Sequence, residues 1–158
     1  MNLQHIQAEA RIVSDQVFGE LAPKVEEIAI AIEFCLKAGG KVMMCGNGGS
    51  SSDAQHFAGE LVNRFLINRK PYAGLALNSD GAVITSIGND FSFDDIFSKQ
   101  VEGLGREGDL LVGFTTSGNS ENVLRAFGVA KKAGIKTIAF TGGTGGKIRA
   151  LSDFTLLI

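Results

Sequence analysis

Two short stretches of this chain are rich enough in glycine and hydroxyl groups to do chemistry. Gly46-Asn47-Gly48-Gly49-Ser50-Ser51-Ser52 follows the apolar run KVMMC, and Thr115-Thr116-Ser117-Gly118-Asn119-Ser120 follows the apolar run ending at Phe114. The second stretch places four hydroxyls, those of Thr115, Thr116, Ser117 and Ser120, in six residues. Glycine lets backbone N–H groups approach an anion, hydroxyls add neutral donors, and a following helix N-terminus adds partial positive charge. This is phosphate chemistry without lysine or arginine. A single such loop also serves as an ordinary strand-to-helix turn, with serine as the helix cap. The third glycine loop, 141–146, lacks the hydroxyl density of the second.

The next candidate is Gln55-His56-Phe57-Ala58-Gly59-Glu60. His56 and Glu60 are four residues apart and share one helix face, one turn beyond the first glycine loop. An imidazole and a carboxylate so placed form half of a metal site, an acid–base pair, or a solvent-facing ion pair; spacing alone leaves the three open. Asn89-Asp90 reads as either a turn and cap or a polar ligand contact. His5, the other histidine, falls on the face of a surface helix. Nucleotide motifs fail: Thr141 and Ile148 occupy the positions around Lys147 where a P-loop needs Gly and Ser or Thr, and Ser51 stands where the dinucleotide fingerprint needs its third glycine. NAD binding stays a weak alternative.

Regular elements must position these groups. Residues 3–21 carry Leu3, Ile6, Ala10, Val13, Val17 and Leu21 at helical spacing, and residues 23–38 carry Val25, Ile28, Ile32, Cys35 and Leu36, with Pro23 in the first turn and Gly39-Gly40 as the stop. Beyond them, apolar runs at 41–45, 74–77, 110–114, 135–140 and 154–158 alternate with helical patterns at about 53–64, 80–87, 93–104 and 121–133, with 46–52 left as loop and Asp80 as a helix cap. Continuous apolar strands alternating with helices predict an α/β fold, a five-stranded parallel sheet in a flavodoxin-like αβα sandwich. In the order 2-1-3-4-5, the loops after strands 1 and 3 flank the switch point where ligands bind. The two hydroxyl-rich loops are those two.

Composition sets outer limits. A chain of 158 residues is one domain, with helices at 1–38 preceding a core at 41–158. Fifteen Lys and Arg against seventeen Asp and Glu give a net charge of -2, without the basic excess of a nucleic-acid binder. No apolar run approaches the ~20 residues of a membrane span. Two cysteines, Cys35 and Cys45, make no disulfide framework, so the expected location is cytoplasmic. The leading helices carry more apolar surface than one sheet face needs, which points to a homo-oligomer. A strand at the end of the chain also leads to the expectation of a further, C-terminal helix to cover the sheet.

Three motifs in order, CGNGGSSSDAQHFAGEL at Cys45–Leu61, GNDFSFDDIFSKQV at Gly88–Val101 and TTSGNSENV at Thr115–Val123, resemble the bacterial phosphoheptose (sedoheptulose 7-phosphate) isomerases of the sugar isomerase (SIS) family. The resemblance covers essentially the whole chain. It implies an aldose–ketose isomerase converting sedoheptulose 7-phosphate to D-glycero-D-manno-heptose 7-phosphate through an enediol, in heptose biosynthesis for lipopolysaccharide or another glycan. It also implies a homotetramer with sites at subunit interfaces, and one zinc ion per subunit. By position, Asn47, Gly48, Gly49, Asn89 and Asp90 would contact the sugar, and Thr115, Thr116, Ser117 and Ser120 the phosphate. His56 and Glu60 would be the catalytic pair and metal ligands, with Glu60 as the base. In the family a glutamine and a second histidine on a later helix complete the site, and no residue of this sequence matches them. The competing reading is a non-catalytic protein of the same fold that binds phosphosugars or the replication initiator; the glutamate at position 60 favours the enzyme.

Overall fold

The structure, a computed structural model, describes residues 2–158. Helices α1 (Leu3–Phe18) and α2 (Ala22–Lys37) lead into β1 (Val42–Gly46), α3 (Gly49–Val62), β2 (Gly74–Ala76), α4 (Gly81–Asp90), α5 (Ser98–Leu104), β3 (Leu110–Thr115), α6 (Glu121–Lys132), β4 (Lys136–Thr141) and β5 (Phe154–Leu157). The five strands are parallel, in the order β2-β1-β3-β4-β5. This is the doubly wound α/β architecture expected. All five residues of β1 are buried, so the strand has helices on both sides and no polar alternation.

One face of the sheet packs Met43, Leu111 and Ala139 against Val123, Phe127 and Ala130 of α6 and Val101 of α5; the other packs Val42, Met44, Val112 and Ile138 against Ala54 and Ala58 of α3 and Ile28 and Cys35 of α2. Helix α6 approaches so closely that a Cβ on Gly113 of β3 would meet the Phe127 ring at 2.6 Å. Desolvation raises the thiol pKa of Cys45, in β1, to about 12, and burial also raises that of Cys35.

Several boundaries differ from the sequence reading. The loop expected over 46–52 shrinks to Asn47 and Gly48, because β1 runs through Gly46 and α3 starts at Gly49, taking Ser50, Ser51 and Ser52 into its first turn. Gly48 makes that entry possible with φ of +56°. Asp80 caps α4 as expected, accepting from Ala82 N and Val83 N at 2.9 and 3.1 Å, but the helix runs on through Asp90. The single helix expected at 93–104 divides into a short 3₁₀ helix, Phe93–Asp95, and α5. Among the described residues none of α1 is buried, and Leu3 and Phe18 of its apolar stripe are 78% and 83% exposed.

At the N-terminal end of the strands, opposite the ligand loops, Asp109 ties the start of β1 to the start of β3. Its carboxylate accepts from Lys41 N at 2.9 Å and Arg106 N at 2.8 Å, and pairs with Lys41 Nζ at 2.5 Å. Burial opposes the charge, but the hydrogen bonds from Lys41 and Arg106 outweigh it and hold the pKa below the ordinary carboxylate value of 3.8. A depressed folded-state pKa contributes stability that is fully present above the unfolded value and lost as pH falls through the folded one. Asp109→Asn should therefore cost about 1–3 kcal/mol at neutral pH. Thermal melts should show that deficit constant above about pH 5 and shrinking below pH 3.8. A deficit that grew on acidification would show that the carboxylate contributes nothing as an anion.

Candidate functional site

The order of the strands reverses between β1 and β3, so β1 leads to one side and β3 to the other, leaving a crevice beyond their C-terminal ends. A cavity of about 550 Å³ opens there. Helix α3 lines it with Ser50, Asp53, His56, Phe57 and Glu60, and β3, the residue after it and β4 line it with Phe114, Thr115, Thr116, Phe140 and Thr141. The floor is aromatic: Phe114 stacks on Phe140 at 5.1 Å, and Phe57 meets Phe114 edge-on at 6.4 Å.

The hydroxyl loop stands at one end of this crevice. Thr115 Oγ1 and Ser120 Oγ lie 3.2 Å apart, and Ser117 Oγ accepts from Asn119 N at 3.2 Å. Ser120 is the N-cap of α6 without donating or accepting a side-chain cap bond, so the amides of Glu121 and Asn122 need an acceptor from outside the helix. Convergent hydroxyls and open helix amides form a cradle for a tetrahedral dianion. The loop is braced from behind by the glycine loop after β4. Gly118 (φ +65°) lies so close to Gly145 that a Cβ would fall 2.0 Å from the Gly145 carbonyl oxygen. Ile148 N donates to Gly118 O at 3.0 Å, and Lys147 N to Asn119 Oδ1 at 3.1 Å.

On the α3 wall, His56 Nε2 lies 3.3 Å from Glu60 Oε1. The imidazole is 78% exposed, whereas Glu60 is 37% exposed and its Oε2 is buried without a hydrogen-bond partner. An unpaired buried carboxylate oxygen is costly, and such atoms collect at functional sites. Arg69 fixes the end of α3 by donating to Glu60 O at 2.6 Å and Leu61 O at 2.8 Å while its guanidinium lies over Tyr72. Imidazole and carboxylate are donors of the kind zinc accepts, and the orphaned Glu60 oxygen is free for it. Among the described residues, however, no group of three His, Cys, Asp or Glu converges as a metal site.

Of the residues singled out from sequence, the fold brings His56, Glu60, Thr115 and Thr116 to one crevice, with Ser120 bonded to Thr115 behind them. Asn47 is turned toward α6, where its amide pairs with that of Asn122. Gly48 and Gly49 form the entry to α3. Asn89 and Asp90 end α4, exposed and bonded to each other at 2.8 Å, and are not among the residues lining the crevice. The sequence reading missed Asp53, Thr141 and the aromatic floor. Asp53 carried a signal, three residues before His56 and seven before Glu60 on one helix face; Phe114 and Phe140 read only as strand core.

The SIS-domain profile matches residues 5–142, and the chain belongs to that family. Its relatives there include proteins named phosphoheptose isomerase. That of Nitratidesulfovibrio vulgaris (strain Miyazaki F) is 46% identical over 98% of this chain and 74% of its own length; that of Desulfovibrio desulfuricans is 52% identical over 85% and 64%. The solved structure of a phosphoheptose isomerase from Francisella tularensis superposes with a TM-score of 0.88 at 41% identity, covering 100% of this chain and 86% of that one. The kinship is thus with isomerases. Among the described residues no helix is long and apolar enough to cross a membrane.

If the cradle holds phosphate, replacing two of its hydroxyls must show it. Ser117→Ala/Ser120→Ala should weaken inorganic phosphate binding by about 1.5–3 kcal/mol, the scale of a hydrogen bond to a charged group. Calorimetric titration measures this, and an unchanged affinity would place the phosphate elsewhere.

Proposed function

We propose that this chain is an aldose–ketose isomerase of heptose phosphates, converting sedoheptulose 7-phosphate to D-glycero-D-manno-heptose 7-phosphate, in the supply of heptose for lipopolysaccharide or another glycan. The observation that carries the reading is the meeting, in one crevice, of a cation-free phosphate cradle with a carboxylate whose Oε2 is buried and unpaired. The names of the relatives supply the substrate class.

The hydroxyl loop and the α6 amides hold the phosphate and direct the carbonyl end of the open chain along the aromatic floor toward α3. Glu60 takes the proton from C1, breaking the C–H bond and leaving an enediol across C1 and C2. Return of the proton to C2, with the hydroxyl proton passing from O1 to O2, leaves the aldehyde at C1. Phe57, Phe114 and Phe140 exclude water from the enediol. His56 and Glu60 would hold half of the ligand shell of a zinc ion. Such an ion, when bound, polarises the carbonyl and lowers the charge that develops on its oxygen.

We also infer that the chain works as a homotetramer. Leu3, Ile6, Ile12 and Phe18 on α1 and Ile30 and Phe34 on α2 are all exposed, and apolar surface of that extent marks an interface. Sedimentation at micromolar concentration should give a tetramer, and a monomer would overturn the assignment.

Glu60→Gln preserves size and hydrogen bonding but cannot accept the proton. The turnover number on sedoheptulose 7-phosphate should fall by about 10²–10⁴, the usual share of general-base catalysis, while phosphosugar affinity survives. Zinc content is measured alongside. Near-normal turnover with unchanged metal would assign the base to another residue.

A further inference from the structure

Asn47 and Asn122 are 75 positions apart and form a reciprocal amide pair: each Nδ2 donates to the other's Oδ1 at 2.9 Å. Asn122 is 2% exposed, in the first turn of α6, and Asn47 is the residue between β1 and the entry to α3. The pair joins the two helix N-termini that face the crevice. It also fixes both amides, since flipping either one alone would set donor against donor and acceptor against acceptor.

We infer that Asn122 is a positioning residue for the isomerisation, acting through Asn47. It holds the α3 wall, with His56 and Glu60, at a set distance from the phosphate cradle on α6. The inference rests on the function proposed above. The same residue offers two separable groups: its main-chain N–H belongs to the phosphate end, and its side chain spans to the loop after β1. Removing the side chain leaves the N–H in place. Phosphate binding should therefore persist while the reacting carbon and Glu60 lose their alignment, and misplacement of about 1 Å in such a site costs on the order of 10²-fold in rate.

The test is a double-mutant cycle with Asn47→Ala, Asn122→Ala and the pair together, on sedoheptulose 7-phosphate turnover, with inorganic phosphate as competitive inhibitor. Asn122→Ala should lower kcat by about tenfold to a hundredfold while the phosphate inhibition constant moves less than about twofold. In the Asn47→Ala background the further loss from Asn122→Ala should be below about twofold. Additive losses, or a loss of phosphate affinity equal to the loss of turnover, would overturn the inference. Asn122→Ser, which keeps a hydrogen-bonding group at the buried position, repeats the measurement if Asn122→Ala melts below the assay temperature. Failure of both variants to fold would make the residue structural and also overturn it. A wild-type protein that does not convert the heptose phosphate would sink the function reading instead. The amide pair would then be judged on binding alone, with Asn122→Ala required to weaken sedoheptulose 7-phosphate more than inorganic phosphate, and equal weakening counting against it.

Discussion

A parallel strand pair needs a crossover, and crossovers are right-handed, so a sheet that grows outward on both sides of β1 must reverse direction once. In this chain the reversal falls between β1 and β3, whose residues pair from Val42 with Leu110 to Gly46 with Phe114. Everything that follows depends on that register. It sets the exits of the two strands side by side and points α3 and α6 away from a common origin on opposite faces of the sheet. The crevice is what remains between them. No side chain had to create it, and the side chains only furnish it.

The furnishing divides cleanly by wall. The α6 side offers neutral donors, hydroxyls and open amides, and the α3 side offers a carboxylate with an imidazole at 3.3 Å. Between them lies an aromatic floor that belongs to the sheet. Such a division suits a ligand with an anionic end that must stay still and a reactive end that exchanges a proton. The bracing of Gly118 against Gly145 backs the anionic end with main chain and leaves no room for a side chain at Gly118.

The sheet, its strand order and the two loops were legible in the sequence, because each depends on local pattern: apolar runs of strand length, glycine and hydroxyl clusters behind them, and Asp80 at a helix start. Boundaries within polar stretches were not. Ser50–Ser52 looks the same as loop or as the first turn of a helix, and the decision came from Gly48, whose left-handed backbone no residue pattern displays. Phe114 and Phe140 were hidden for a different reason. A strand residue that faces a crevice and one that faces a helix are equally apolar in sequence, so only the fold reveals which it is. The bond between Asn47 and Asn122 joins positions that spacing cannot relate, and only the fold brings them together.

The two thiols carry a consequence of another kind. Cys45 lies in β1, an interior strand beneath helices on both faces, with its pKa pushed up to about 12, and Cys35 lies at the last turn of α2, also buried and with its pKa raised. A thiolate is the species that alkylating reagents attack, and here neither thiol ionises readily while covered. Covered in this way, each thiol should react slowly with such reagents in the folded protein, and each reports on a different opening. Modification at Cys35 times the lifting of α2 from the sheet, whereas modification at Cys45 waits for the sheet itself to come apart.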